Sequence, residues 1–390
     1  MEKMYLTREQ EWLAKVGKSS EQTAMRLLEV LGDINGASRL IPITWAHVSG
    51  ASYLTIGDTG IDFLEDFCRD VKVKVRTTVN PISMDIERWR EMGIPEDYAM
   101  KQMMIVEAYR RIGVEEVFSC TPYLIGKTPE KGEHLAWAES SAAIYANSVL
   151  GARTNREGGP SALASAITGY TPEYGLHLED NRMAGVIVNV KAKLIGNRHQ
   201  LLGLALGPKL EGRIPYFPKL PGSDDGLKWF GAALTSTSDV TLFHIEKRTP
   251  EWRSAKKGRL KSITITTNDL NKVQKTFTTG VKPDVIGMGS PQLSPKELQS
   301  IAKLLKKNRP KIPIWVFTSR SAKSEAREAV EEIEKLGGTV WVDTCLEVSP
   351  LYYKFKTVAT PSGKGAFYLP SLCKQKVVLE DITKLLRRFS

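Results

Sequence analysis

Strand–helix alternation over residues 262–342 constrains this chain most. Residues 262–266, 284–288, 313–317 and 339–342 are short apolar or β-branched runs of strand length. Helical patterns separate them. One begins at Asn268, one at Ser294-Pro295-Lys296-Glu297 with the serine, proline and glutamate of a capping box, and one covers 321–336. Strands that alternate with helices run parallel, because each helix returns the chain to the same edge of the sheet and covers one of its faces. The expected fold class is therefore α/β, with mostly parallel sheets.

The earlier part of the chain is less regular. A helix is expected from Thr7, with Gln10 completing a capping box, and another over 20–31, ended by Gly32. Residues 40–48 read as one buried strand and open into the small residues Ser49-Gly50-Ala51-Ser52. Asp58 or Thr59 caps a helix to Asp66, and a strand over 71–79 ends in the Asn80-Pro81 turn. A helix runs from Pro95 to Gly113 and a strand over 114–118 stops before Cys120. Residues 135–150 read as a helix rich in small side chains, carrying Glu139 and Ser140 in its first turns. A polar loop, 151–160, follows with Arg153, Arg156, Glu157 and three glycines. Strands are expected over 184–190 and 240–245, with a Pro- and Gly-rich loop over 208–222.

In open α/β sheets ligands bind beyond the carboxyl ends of the strands. Ser49 to Ser52, Asn80-Pro81, Cys120, Gly289-Ser290-Pro291 and Asp343-Thr344-Cys345 all follow expected strands. Turn chemistry accounts for the serines, asparagine and prolines at such ends, and less well for two cysteines. Pro361-Ser362-Gly363-Lys364-Gly365 is a fragment of a phosphate loop without the full pattern; its lysine can hold a carboxylate or phosphate. His47 and His134 have the chemistry of acid–base groups, but neither has a partner in sequence, and a hydrogen-bonded structural histidine is the commoner case.

Four cysteines, Cys68, Cys120, Cys345 and Cys373, show no C-x-x-C pairing, so the spacing says nothing for a finger or ribbon and does not exclude a metal site assembled from distant loops. The net charge of +11 raises nucleic-acid binding, yet the basic residues are scattered and not interleaved with aromatics. Most of that charge reads as solvated surface. No run of about 18 apolar residues occurs and no leader is seen, so a cytoplasmic protein without membrane contact is expected.

Several long motifs together resemble the aconitase X family, in its archaeal phosphomevalonate-type branch. They are AHVSGASYLTIGDTGIDFLED, Asn80-Pro81 followed by MDIERW, EMGIPEDYA, SCTPYLIGK, GEHLAWAESSAAIYANSVLGARTNREGGPSALASAITG, and the DTC ending at Cys345. The resemblance covers nearly the whole chain. It implies an aconitase-like fold of several α/β/α layers around a central cleft. It also implies a hydro-lyase acting on (R)-5-phosphomevalonate to give trans-anhydromevalonate 5-phosphate for isoprenoid synthesis. The family relation implies an iron–sulfur cluster, [4Fe-4S], as Lewis acid, and a separate small subunit whose swivelling domain supplies the base, hence a heterodimer. Carried over by position, Gly50, Ala51, Ser52, Asn80, Pro81, Glu139, Ser140 and Lys364 contact substrate, with Glu139, Ser140 and Lys364 catalytic. Cys120 and Cys345 bind the cluster, and Ser290 stands at the third ligand position.

The chain departs from the family pattern there. The family's Gly-Cys-Pro-His turn reads Gly289-Ser290-Pro291-Gln292, its Asn-Ser-Gly-Lys reads Pro361-Ser362-Gly363-Lys364, and its Ala-His-Tyr reads Ala366-Phe367-Tyr368. A serine is a harder, weaker iron ligand than a thiolate. The alternatives that follow are an aconitase X homologue dehydrating another hydroxy acid, such as a hydroxyproline, or a cluster-free paralogue that only binds. Length divided by about 150 gives two or three domains. The expected division is 1–115 with the substrate loops, 116–260 with the first cluster ligand, and 261–390 with the remaining cluster positions and the lysine loop.

Overall fold

A computed structural model describes residues 4–390. In chain order the strands are β1 (Leu40–Pro42), β2 (Trp45–Val48), β3 (Arg76–Val79), β4 (Leu135–Trp137), β5 (Tyr170–Pro172), β6 (Val186–Lys191), β7 (Pro215–Phe217), β8 (His244–Ile245), β9 (Ser262–Thr266), β10 (Val285–Leu293), β11 (Ile314–Thr318), β12 (Gly338–Trp341), β13 (Thr357–Thr360) and β14 (Lys376–Leu379). Three parallel sheets result, ordered β3-β2-β4, β8-β7-β6-β9 and β12-β11-β10-β13-β14, and β1 pairs antiparallel with β5. The α/β class and the parallel sheets expected from the alternation are present.

The strand orders locate the cleft. The five-stranded sheet grows from β10 toward β12 on one side and toward β14 on the other. That reversal opens a crevice at the carboxyl ends of β10 and β13. The three-stranded sheet likewise has β2 in the middle, so the ends of β2, β3 and β4 lie side by side. The two crevices are joined. Ile82 pairs with Thr344 and its N–H donates to the Asp343 carbonyl at 2.8 Å. The helices Arg198–Leu210 and Asp224–Thr237 pack closely beside this junction, where a Cβ on Gly203 would lie 2.6 Å from the Phe230 carbonyl oxygen.

Several elements differ from expectation, each for a local reason. Residues 40–48 form two strands because the chain changes partners, Ile43 N–H donating to the Gly169 carbonyl beside β5 and Thr44 N–H to the His134 carbonyl beside β4. Residues 135–150 are not one helix. Leu135–Trp137 pairs with β2, the helix Ser140–Tyr145 starts only after Glu139, and Ala146–Leu150 is a π turn. A short apolar run reads equally as buried strand or helix, and here the sheet claims it. Residues 114–118 make a single bridge, Val79 to Phe118, rather than a strand.

Gly32 sits inside the helix Ser19–Asn35, where a Cβ would lie 2.7 Å from Met4 Sδ; the stop is the left-handed Gly36. The helix expected from Asp58 or Thr59 is the second half of Tyr53–Phe67, which breaks at Gly57. The strand over 71–79 is confined to Arg76–Val79, and that over 240–245 to His244–Ile245. Pro208 lies in a helix and Pro215 in a strand, so 208–222 is only partly loop. The helix over 321–336 divides at Ala326 into Arg320–Glu325 and Arg327–Lys335. The strand expected over 284–288 continues to Leu293 with a register shift, so Ser290 lies within it rather than after it.

Candidate active site

The site is built from the ends of five strands. After β2 the chain turns at Gly50, whose φ of +84° suits a residue without a side chain. Gln102 locks this turn. Its Nε2 donates to the Ala51 carbonyl at 2.8 Å, and its Oε1 accepts from the N–H groups of Tyr53 and Ser83 at 2.9 and 3.0 Å. Ser52 Oγ is 2.7 Å from Ser83 Oγ and donates to the Val348 carbonyl at 3.2 Å, tying the loop to the third sheet.

Asn80, after β3, is held by a chain of bonds with one consistent direction. Trp45 Nε1–H donates to Thr78 Oγ1 at 2.9 Å, so the Thr78 proton points to His47 Nδ1, 2.8 Å away. His47 Nε2–H then donates to Asn80 Oδ1 at 2.8 Å. Burial holds His47 neutral by lowering its pKa to about 4, against the opposing pull of Asn80 and Glu139. The Asn80 amide is thereby oriented to donate through Nδ2 to Glu139 Oε2 at 2.8 Å.

Glu139 follows β4 and caps the next helix, its Oε1 accepting from Ser141 N at 3.2 Å and Ser141 Oγ at 2.8 Å. The same oxygen accepts from Lys364 Nζ at 2.6 Å. Lys364 stands in the first turn of the helix Gly363–Leu372 after β13, and Glu347 Oε2 lies 3.6 Å from its ammonium. Burial alone pushes the Glu139 carboxyl up, but Lys364, Asn80 and Ser141 together bring its pKa down to about 2. The two carboxylates raise the Lys364 pKa against its burial. Glu139 is thus a fixed anion and Lys364 a fixed cation, even though both are buried.

Gln200 accepts from the Gly363 N–H through its side-chain oxygen, and Ser362 Oγ donates to the Ser290 carbonyl. These bonds tie the lysine loop to the second and third sheets. Ser140 is buried, and its Oγ accepts from Thr235 Oγ1 at 3.3 Å.

Both predicted thiols lie in the same buried region. Cys120 Sγ accepts from the Gln292 N–H at 3.2 Å. Gln292 Nε2 donates to the Thr344 carbonyl at 2.9 Å and to that of Phe118 at 3.3 Å, bridging the loops that carry Cys120 and Cys345. Burial pushes the Cys120 thiol up to about 12 and that of Cys345 well above its ordinary value. Burial raises the Glu347 carboxyl pKa against the opposing pull of the Lys364 charge and, less, of the nearby Ser290 hydroxyl. Ser290 Oγ, Gln292 Oε1, Thr344 Oγ1 and Glu347 Oε1 are buried without hydrogen-bond partners. Orphaned buried polar atoms on the segments that carry Ser290 and Cys345 point to a polar guest. Among the described residues no three His, Cys, Asp or Glu side chains are placed to hold a metal ion.

The structure therefore gathers Gly50, Ala51, Ser52, Asn80, Glu139, Ser140, Lys364, Cys120, Cys345 and Ser290 around one junction. Pro81 is buried next to Asn80 in the chain and has no N–H to offer. Cys68 is buried in the N-terminal core, whereas Cys373 borders the site, its Sγ donating to the Glu347 carbonyl at 3.5 Å. His134 pairs instead with His177, Nδ1 to Nδ1 at 2.9 Å. Glu347, Thr235 and the His47–Asn80 link escaped the sequence, as did the bridging role of Gln292, which the sequence marked only as a departure from the family turn. Glu347 stands two residues after Cys345, and that adjacency was its only signal.

Residues 3–180, 184–275 and 283–389 match the profiles of the aconitase X first, second and third domains. The chain belongs to the aconitase X family. It is 45% identical to the phosphomevalonate dehydratase large subunit of Methanocaldococcus jannaschii, over 98% of this chain and 100% of that one. It is 45% identical to that of Thermococcus kodakarensis, over 98% and 99%. It is 32% identical to the cis-3-hydroxy-L-proline dehydratase of Pseudomonas aeruginosa, over 95% of this chain but 67% of that protein. The crystal structure of Thermococcus kodakaraensis aconitase X in its holo-form superposes with a TM-score of 0.93 at 42% identity, covering 99% of this chain and 100% of that chain. No described helix is long and apolar enough to cross a membrane.

Proposed function

We propose that this chain is the large subunit of a phosphomevalonate dehydratase. It acts as a hydro-lyase that removes water from (R)-5-phosphomevalonate to give trans-anhydromevalonate 5-phosphate. The observation that carries this reading is the end-to-end match, at 45% identity, to large subunits of that name. The hydroxyproline dehydratases are more distant and longer. The word "large" in those names supports a small-subunit partner, which we place over the cleft.

Dehydrating a 3-hydroxy acid removes a weakly acidic proton next to a carboxylate and expels hydroxide. Lys364, held as an ammonium, is suited to face the substrate carboxylate and the negative charge that develops on it. Glu139, with a pKa of about 2, is too weak a base for that proton and serves to hold Lys364 in place. Asn80, oriented by His47, and Ser140 direct polar groups to the substrate, while the Gly50–Ala51 turn lets it approach the backbone. The base comes from the small subunit.

Cys120 and Cys345, with the orphaned hydroxyl of Ser290 as the third donor, would hold an iron-bearing group through two thiolates and one oxygen. They do not fit three thiolates. Such a group supplies Lewis acidity for the leaving hydroxyl when bound.

The test is an anaerobic assay of this chain co-expressed with its small subunit and given (R)-5-phosphomevalonate, following the mass loss of one water. Turnover supports the reading. Turnover of a hydroxyproline alone, from a complex carrying iron, would replace it.

A further inference from the structure

Among the described residues the buried centre has no positive charge to spare. Lys364 is matched by Glu139 at 2.6 Å and by Glu347 at 3.6 Å. A substrate carboxylate can still use the ammonium, but a second, dianionic group needs another cation. Burying it unpaired would cost far more than a hydrogen bond returns.

The loop over 151–160 carries two guanidiniums, and the structure gives them different tasks. Arg153 is committed to the Glu179 carboxylate and to the His177 carbonyl at 3.0 Å. Arg156 is exposed, and its Nη1 donates to the Thr235 carbonyl at 3.3 Å. Among the described residues it pairs with no carboxylate. Its neighbour Glu157 turns the other way, accepting from Ser161 Oγ at 2.6 Å.

Arg156 is also anchored to the site on two sides. Its backbone pairs with Trp137, two residues before Glu139. Gly159 presses on the β2 loop so closely that a Cβ there would lie 2.6 Å from the Ser49 carbonyl oxygen. The residue that receives its guanidinium, Thr235, is the one whose hydroxyl meets Ser140. A guanidinium without a carboxylate partner thus stands at the exposed edge of the site, linked through Thr235 to Ser140 and through the loop at Gly159 to the Gly50 turn.

We propose that Arg156 anchors the phosphate monoester of the substrate. The inference rests on the reading of the chain as a phosphomevalonate dehydratase. A guanidinium offers two parallel N–H donors to phosphate oxygens, and at the rim it avoids the desolvation that a buried dianion would meet. The phosphate then holds the far end of the substrate while the carboxyl end enters toward Lys364.

The test uses the complex of this chain with its small subunit, comparing the wild type with Arg156→Gln and Arg156→Lys. The glutamine variant is expected to raise KM for (R)-5-phosphomevalonate by about 10- to 100-fold, most of the loss falling on KM rather than kcat. The lysine variant recovers part of it, and competitive inhibition by inorganic phosphate weakens in parallel. Inhibition by unphosphorylated mevalonate stays as in the wild type. Equal KM values in wild type and Arg156→Gln overturn the assignment while leaving the dehydratase reading intact. So does equal weakening of phosphate and mevalonate inhibition. Loss of small-subunit association on size-exclusion in place of the KM effect assigns Arg156 to the interface and overturns it too. No turnover by the wild-type complex overturns the dehydratase reading and the inference with it.

Discussion

Lys364→Met removes the cation that keeps Glu139 ionised inside the protein. With a folded pKa of about 2 against an ordinary value of 4.5, Glu139 contributes about 3 kcal/mol to stability at neutral pH. Because the folded pKa is depressed, that contribution is complete above pH 4.5 and is lost as the pH falls through 2. Without Lys364, desolvation dominates and the carboxyl pKa moves up instead, so the contribution changes sign. Breaking a buried pair this way is expected to lower the unfolding free energy at pH 7 by about 3–5 kcal/mol. Urea unfolding of the wild type, Lys364→Met, Glu139→Gln and the double variant measures it. The double variant should be more stable than the sum of the single losses by about 2 kcal/mol or more. Repeating the series at pH 4 and 3 should show the wild type approaching Lys364→Met. A coupling below about 0.5 kcal/mol, or a Lys364→Met variant with the acid sensitivity of the wild type, would refute the ion-pair account.

Further outcomes follow from other contacts. His47 has a folded pKa of about 4 against 6.5, so its share of stability is full above pH 6.5 and falls away toward pH 4, by about 3 kcal/mol; His47→Gln should flatten that stretch of the stability–pH curve, and an unchanged slope would count against a neutral buried imidazole. Ser290→Cys supplies a third thiol and should raise the iron retained per chain after anaerobic reconstitution, whereas Cys120→Ala and Cys345→Ala should lower it, all read by iron and sulfide analysis on folded protein. Arg182 and Glu251 form a buried bidentate pair at 2.8 to 3.0 Å, with further bonds to the Asn147, Ala152 and Leu176 carbonyls. Arg182→Met should cost about 3–5 kcal/mol in urea unfolding, and a loss under 1 kcal/mol would contradict that burial.

The parallel architecture of the last third was legible because its strands and helices have different periods and capped ends, as at Ser294 and Glu297. The small-residue stretch after His134 was not, because Leu135, Ala136 and Trp137 satisfy a strand or a helix equally until β2 is known to lie beside them. The site was readable as a set of strand ends, which is why Ser52, Asn80, Cys120 and Cys345 stood out. Its wiring was not readable. The contact of Glu139 with Lys364 spans 225 positions, and no local pattern records which carboxylate a lysine will meet. Glu347 stayed hidden for the same reason, and so did what Gln292 bridges, since each is an ordinary polar residue until its buried partners are known. The charges themselves were visible in the loop after Leu150, but only the commitment of Arg153 to Glu179 distinguishes it from Arg156.

The long separation between Glu139 and its lysine also has a consequence for how the protein is made. A ribosome adds about 5–20 residues per second. Glu139 therefore emerges roughly 10–45 s before Lys364, across the 225 positions between them. During that interval its carboxylate has no counter-ion, and water is the better solvent for it. The β4 segment can pair with β2 early, but the loop that follows it stays open until the lysine arrives. The buried charge pair is thus a late closure, and a nascent chain stalled before Gly363 would present its first sheet with the cleft still wet.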